Sequence, residues 1–226
     1  MSSENTAEHV DHARLMDRVY RGQRHIYDAT RKYYLFGRDS AIAGLEASAG
    51  QTLLELGCGT GRNLMLAARR FPGLRLYGLD ISREMLETAR AKFAPTGLHV
   101  SFVAGDATRF TPAEFGVPGF DRIMISYALS MIPDWRATIV TALDALSPGG
   151  SLHIVDFGDQ AHLPRWFRSG LRTWLKKFHV TPREEMVTYL EAICRERGLG
   201  LTVRTLGGGY AIRAIVERKP SVNHLL

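Results

Sequence analysis

The stretch Leu53-Leu54-Glu55-Leu56-Gly57-Cys58-Gly59-Thr60-Gly61-Arg62-Asn63 decides the fold. An apolar run enters a glycine-rich turn and leaves as the start of a helix, the pattern of a strand that hands a nucleotide-like ligand to a helix N-terminus. Glycines at 57, 59 and 61 remove the β-carbons that would hold the backbone away from a ligand, and glycine tolerates the positive φ such turns need. A second apolar run, Leu74 to Leu79, ends in Asp80, about twenty residues past the loop, where a carboxylate can accept hydrogen bonds from both hydroxyls of a ribose. Loop and acid together predict a nucleoside site.

The spacing narrows the ligand. A dinucleotide fingerprint reads G-x-G-x-x-G and brings a pyrophosphate to the helix start, whereas this loop reads G-x-G-x-G with Glu55 two residues before the first glycine. A carboxylate there repels a pyrophosphate and suits an ammonium group. The string E-L-G-C-G-T-G, followed by Gly78-Leu79-Asp80-Ile81-Ser82 and Gly105-Asp106-Ala107, resembles the S-adenosylmethionine site of class I methyltransferases. That resemblance implies a donor held by Glu55, Gly57, Cys58, Gly59, Thr60, Gly61, Asn63, Asp80, Ile81, Met85, Gly105, Asp106, Ala107 and Ser126, with Asp80 on the ribose and Asp106 beside the adenine. Cys58 reads as a small residue of the loop rather than a nucleophile.

At 226 residues the chain suits one α/β domain with decorations, expected over 1–226. No apolar run approaches the ~20 residues of a membrane span. Met1 to Asp11 is polar and partly acidic, unlike a secretory leader, which leads to an expected cytoplasmic location. With only Cys58 and Cys194, a disulfide framework is not expected. No His, Cys or carboxylate spacing suggests a metal. The net charge of +6 points to an anionic partner.

After Asp80 the chain alternates strand and helix, which favours a parallel sheet wound by helices. Ser82 can cap a helix through Met85, Leu86 and Ala89; His99 to Val103 and Asp121 to Ser126 read as the third and fourth strands. Pro133-Asp134 opens a helix through Ile139, Leu143 and Leu146 that Ser147-Pro148-Gly149-Gly150 stops. Ser151 to Phe157 reads as the fifth strand. Thr181-Pro182-Arg183-Glu184 has the cap, N1 proline and acidic first turn of a helix reaching about Arg197. Leu199 to Thr205 and Tyr210 to Glu217 flank three glycines and form a hairpin, an ending that resembles the antiparallel seventh strand of class I methyltransferases. The expected fold is therefore a doubly wound, seven-stranded, mostly parallel Rossmann-like sheet. Outside it lie an N-terminal helical lid (13–39) and an amphipathic insertion (161–180), where substrate specificity is expected.

In that insertion, at ~100° per residue, Phe167, Leu171, Trp174, Leu175 and Phe178 share one face, while Arg165, Arg168, Arg172 and Lys176 share the opposite one. Residues 164–178 hold five Lys or Arg and no acid, a composition suited to a helix lying in an anionic membrane interface, with Trp166 and Trp174 among the acyl chains. A helix packed on the domain with its arginines in water is the bland alternative. Nucleic acid is disfavoured, because the aromatics lie away from the charges that would grip phosphates.

The N-terminal segment RVYRGQRHIYDATRKYYLFGRD, residues 18–39, carries four tyrosines and seven basic groups counting His25. Tyr20, Tyr27 and Tyr34 recur every seven residues and share a helix face, which suits either core packing or a lid over the donor. Joined to L-E-L-G-C-G-T-G-R-N and Y-G-L-D-I-S, this segment resembles the bacterial methyltransferases of betaine-lipid synthesis, mainly through I-Y-D-A-T-R-K-Y-Y-L-F-G-R-D, residues 26–39. The resemblance implies an inner-membrane-associated enzyme that methylates the amine of diacylglyceryl-homoserine three times. Arg38 or Arg31 would meet the donor carboxylate, and Arg31, Lys32 and Tyr34 the acceptor. Tyr20, Tyr27, Tyr127 and His153 are the polar groups that could steady the amine or relay its proton. Phosphatidylethanolamine, a small metabolite, or sensing of S-adenosylmethionine without turnover are the competing readings.

Overall fold

The computed structural model describes residues 36–178 and 180–220. Seven strands form one sheet of order β3-β2-β1-β4-β5-β7-β6. They are β1 (Thr52–Leu56), β2 (Arg75–Asp80), β3 (Val100–Ala104), β4 (Phe120–Ser126), β5 (Leu146–Phe157), β6 (Gly200–Leu206) and β7 (Ala211–Glu217). The first five are parallel, and β7 joins β5 and β6 antiparallel, which bears out the expected doubly wound sheet and its terminal hairpin. The helices are α1 (Arg38–Ala43), α2 (Arg62–Arg70), α3 (Arg83–Phe93), α4 (Trp135–Asp144), α5 (Arg165–Lys177) and α6 (Met186–Arg197). The expected lid, with Tyr20, Tyr27, Arg31, Lys32 and Tyr34, lies outside the described residues apart from its end.

All five residues of β1 are buried, because helices cover both faces of a parallel sheet. Leu54, Leu56, Leu79, Ile123, Ile125, Leu152 and Ile154 join one core with α4 and α6. Leu53, Leu76 and Met124 join a second with residues of α1, α2 and α3. The strand period of two thus sets Glu55 on the α2 side of the sheet and Asp156 on the α6 side.

Two element boundaries differ from the sequence expectation. Leu146 pairs with Phe120 and opens β5 instead of closing α4, and residues 147–150 are a register shift within that strand, which resumes at Ser151 opposite Arg122. Gly150 has no room for a β-carbon, which would meet Phe120 O at 2.8 Å. Likewise α6 begins at Met186 rather than after Thr181. The Thr181 amide donates to Ser130 O, and the Arg183 guanidinium donates to Leu129 O at 3.0 Å and Ile132 O at 2.7 Å, so this stretch is held as a strap over the loop after β4. Long-range backbone partners outweigh the local capping signal.

Both faces of α5 make contact with the domain, the charged one through Arg172. Leu175 is buried, and Leu171, Trp174 and Phe178 pack with it on a third core formed by Ala41, Tyr127, Val155 and Phe157. The apolar face from Leu171 to Phe178 is thus spent on the domain. Arg172 pairs with Glu184 at 2.7 Å, so the acid absent from the helix is supplied by the strap. Exposed aromatic surface remains at the first turn, where Trp166 is 78% and Phe167 39% exposed.

Candidate donor and acceptor site

Parallel strands in open α/β sheets present their ligands at the carboxyl ends. Here Gly57 (φ 67°) and Gly61 (φ 73°) turn β1 into α2. A β-carbon on Gly57 would stand 2.7 Å from that of Ala128, and one on Gly61 2.9 Å from Phe93. The loop therefore abuts the turn that follows β4.

Asp80, at the end of β2, fastens the loop. Its Oδ2 accepts from the Gly59 amide at 2.7 Å and its Oδ1 from the Ser82 amide at 2.9 Å. Ser82 in turn caps α3, accepting from the Met85 amide. On β1, Glu55 Oε1 accepts from Asn63 Nδ2 at 2.6 Å, which ties the carboxylate to the first turn of α2. Asp106 accepts from the Thr108 amide and hydroxyl through Oδ1. Ile81, Gly105 and Ala107 line the same edge, and Thr60 is buried in the loop. The Ser126 Oγ at the end of β4 is buried without a hydrogen-bond partner among the described residues. Burial, aided by Asp80 and Glu55, pushes the Cys58 thiol well above its ordinary range, so it does not ionise as a nucleophile would.

Two arginines begin helices α1 and α2, whose residues share one core. Arg38, first residue of α1, is only 6% exposed, and its Nε has no hydrogen-bond partner among the described residues. Arg62, which directly follows Gly61, likewise has a buried Nη1 without one. The sequence reading singled out Arg38 but not Arg62, although its position one residue past the third glycine was a usable signal.

Tyr127 and His153 are not placed as free polar groups. Tyr127 (φ 55°) is buried, its hydroxyl donates to Phe36 O, and its ring packs edge-on against Phe157 at 4.7 Å. Burial, with Asp156 and Tyr210 nearby, raises its phenol further out of reach of ionisation. His153 lies mid-strand opposite Met124, well below the strand end, with Nε2 2.8 Å from Ser151 Oγ. Burial, reinforced by Arg122 and Arg213, lowers it to about 4, so its ring is neutral at pH 7.

Sequence reasoning missed a second polar group on the α6 side. Asp156 is 1% exposed; its Oδ2 accepts from the Ser130 amide at 3.1 Å and its Oδ1 from the Phe157 amide at 2.7 Å. Gln160 is fully buried with φ 61°. An apolar β5 interrupted by one acid, Val155-Asp156-Phe157, was the available signal.

Comparison with known proteins agrees with this geometry. Residues 53–150, just under half of the chain, match the family described as a methyltransferase domain. The segment is thus similar to a methyltransferase domain, and the fold and the clamped glycine loop accord with that likeness. Among curated proteins, the trans-aconitate 2-methyltransferase of Streptomyces avermitilis is 38% identical over 102 residues, 44% of this chain and 36% of that protein. The demethylmenaquinone methyltransferase of Thermus thermophilus is 29% identical over 136 residues, 58% of this chain and 60% of that protein. The chain thus spans about a third to three fifths of the length of these relatives. Among solved structures, the plantazolicin methyltransferase BpumL, in complex with a triazolic desmethylPZN analog and SAH, superposes with a TM-score of 0.70 at 16% identity, over 96% of this chain and 99% of that one. At that identity the likeness is one of fold.

Proposed function

We propose that this chain is an S-adenosylmethionine-dependent N-methyltransferase whose acceptor is the amine of a lipid headgroup, diacylglyceryl-homoserine, methylated in three successive steps. The observation that carries the donor half is the Asp80 clamp on the glycine loop beside the Glu55–Asn63 pair. In this reading Asp80 receives the ribose hydroxyls, Glu55 the methionine ammonium, and Arg38 or Arg62 the methionine carboxylate. Asp106 lies against the adenine. The sulfonium supplies an activated methyl, and the chain's task is to hold the amine lone pair in line with it and to keep water out. Tyr20 and Tyr27 remain proposed contacts to the amine, with Arg31, Lys32 and Tyr34 on the headgroup.

The lipid half rests on the segment at 26–39 and on the exposed Trp166–Phe167 pair, which stands beside Arg165 on the first turn of α5. Phe36, 55% exposed, belongs to the same end of the molecule: it neighbours Gly207, and Gly208 neighbours His162 and Leu163, just before α5. Among the described residues no helix is long and apolar enough to cross a membrane, so contact with lipid would be peripheral. A small-molecule acceptor is the second reading, favoured by the names of the relatives and by the packing of Leu171, Trp174 and Leu175 on the domain. Incubation with methyl-labelled S-adenosylmethionine and total bacterial lipid tests the choice. Mono-, di- and trimethylated homoserine lipid is the expected product; label in phosphatidylethanolamine alone, or in no lipid at all, overturns the acceptor assignment.

A further inference from the structure

Asp156 is a buried carboxylate that the donor reading leaves unused. Burying a carboxylate is costly unless a cation faces it, and none lies within 4 Å of Asp156 among the described residues. Arg183 is the nearest cationic influence, but its Nε and Nη2 are committed to the carbonyls of Leu129 and Ile132. Two backbone amides, of Ser130 and Phe157, are its direct donors. The Ser130 hydroxyl stands beside it and favours its charged form, although its Oγ makes no hydrogen bond of ordinary geometry.

The surroundings belong to the reacting end of the fold. Ser130 lies two residues past Ala128, which the glycine loop abuts at Gly57, and the 128–132 turn is closed by the Met131 and Ile132 amides on Ala128 O. Just after β5, Gln160 Oε1 accepts from Arg172 Nε at 3.4 Å, while its Nε2, fully buried, has no hydrogen-bond partner among the described residues. Tyr127 and Gln160, which follow β4 and β5, both hold positive φ without being glycine. Such strain persists where surrounding structure enforces it, and it concentrates at ligand sites.

We propose that Asp156, with Gln160, is the acceptor-recognition group: the carboxylate receives the acceptor's ammonium and takes its proton, and the Gln160 amide donates to an oxygen of the same headgroup. This rests on the donor reading of the glycine loop. The proton passes from R-NH3+ to the carboxylate, giving R-NH2 and the neutral acid. The freed lone pair attacks the methyl carbon, the carbon–sulfur bond breaks, and its electron pair stays on sulfur. The product is a methylammonium and a neutral thioether, and the acid returns its proton to water. Burial raises Asp156 to about 6, which brings its basicity closer to that of an amine than an ordinary carboxylate's would be. An acceptor with carboxylates and no ammonium would meet like charge here with nothing to offset it, which separates this site from one built for trans-aconitate.

The test uses calorimetry on the full chain loaded with S-adenosylhomocysteine, with ethanolamine, homoserine and trans-aconitate as separate probes. Asp156→Asn keeps the shape of the side chain and should weaken both amine probes at least tenfold, leave S-adenosylhomocysteine binding within twofold, and not weaken trans-aconitate. Gln160→Leu should weaken homoserine several-fold. In the wild type, amine affinity should fall as pH drops through about 6, where the carboxylate protonates against the fields of Tyr127 and Arg183; a purely structural Asp156 would not produce that limb. Equal amine binding by wild type and Asp156→Asn, including none by either, overturns the proposal. Failure of the wild type to bind S-adenosylhomocysteine would instead strike the donor reading.

Discussion

At the scale of single residues, Asp80 and the buried pair His153 and Asp156 make the clearest claims. Both Asp80 oxygens already hold a backbone amide, so Asp80→Asn turns an amide NH2 toward one of them and loosens the loop as well as the ribose contact. Calorimetry should show S-adenosylmethionine binding weakened by about 2–4 kcal/mol, the range for lost hydrogen bonds to a charged acceptor. Unchanged affinity would remove the ribose assignment. His153 has a folded pKa depressed from 6.5 to about 4, so the unfolded chain binds the extra proton and stability is lost as pH falls through that window. Asp156 runs the other way: raised from 3.8 to about 6, it binds its proton in the folded state, and stability is lost as pH rises through that window. Each shift corresponds to roughly 3 kcal/mol at most, so the two largely cancel between pH 4 and 6. Urea unfolding should therefore show stability falling with rising pH in His153→Gln and rising with pH in Asp156→Asn. Parallel slopes in both variants would contradict these environments.

At the scale of elements, α5 divides into a packed part and a presented part. Leu175→Ala removes a fully packed side chain and should cost about 2–5 kcal/mol of stability with little loss of vesicle affinity per folded molecule. Trp166→Ala with Phe167→Ala should leave stability within about 0.5 kcal/mol, since both side chains are exposed, yet lower binding to anionic vesicles. Vesicle binding indifferent to the exposed pair would return α5 to a purely structural role. The glycine loop offers a sharper case. In Gly57→Ala the new methyl meets Ala128 at a backbone angle that disfavours a side chain, so a loss of about 1–3 kcal/mol is expected, with donor binding falling further than stability.

At the scale of the whole molecule, the donor edge and the exposed aromatic turn of α5 are built on different strands of one sheet, β1 and β2 for the first and the connection after β5 for the second. Donor binding should therefore need no lipid. S-adenosylhomocysteine at a hundredfold excess over its Kd should raise stability by about 2.7 kcal/mol in lipid-free buffer, read as a higher Tm. The net charge of +6 predicts that vesicle binding requires anionic lipid and falls between low and physiological salt, whereas the donor-induced shift does not.

The sequence by itself determined the strand-loop-helix around Gly57–Gly61, the acids ending β2 and following β3, and the alternation that winds a parallel sheet, because each is a local pattern of period, turn chemistry and spacing. It also determined the amphipathic character of α5, though not what that face meets. Only the tertiary structure decided that Leu171 to Phe178 close the third core, that Glu184 answers Arg172, that residues 181–185 are a strap rather than a first helical turn, and that Leu146 belongs to β5. The same holds for Tyr127, whose hydroxyl Phe36 O receives, and for His153, which the register sets too deep to reach the strand ends. Asp156 shows the reason most plainly. A lone acid in an apolar strand reads the same whether it meets water or a buried loop, and only the packing of the 128–132 turn over β5 removes its water, with no paired cation among the described residues.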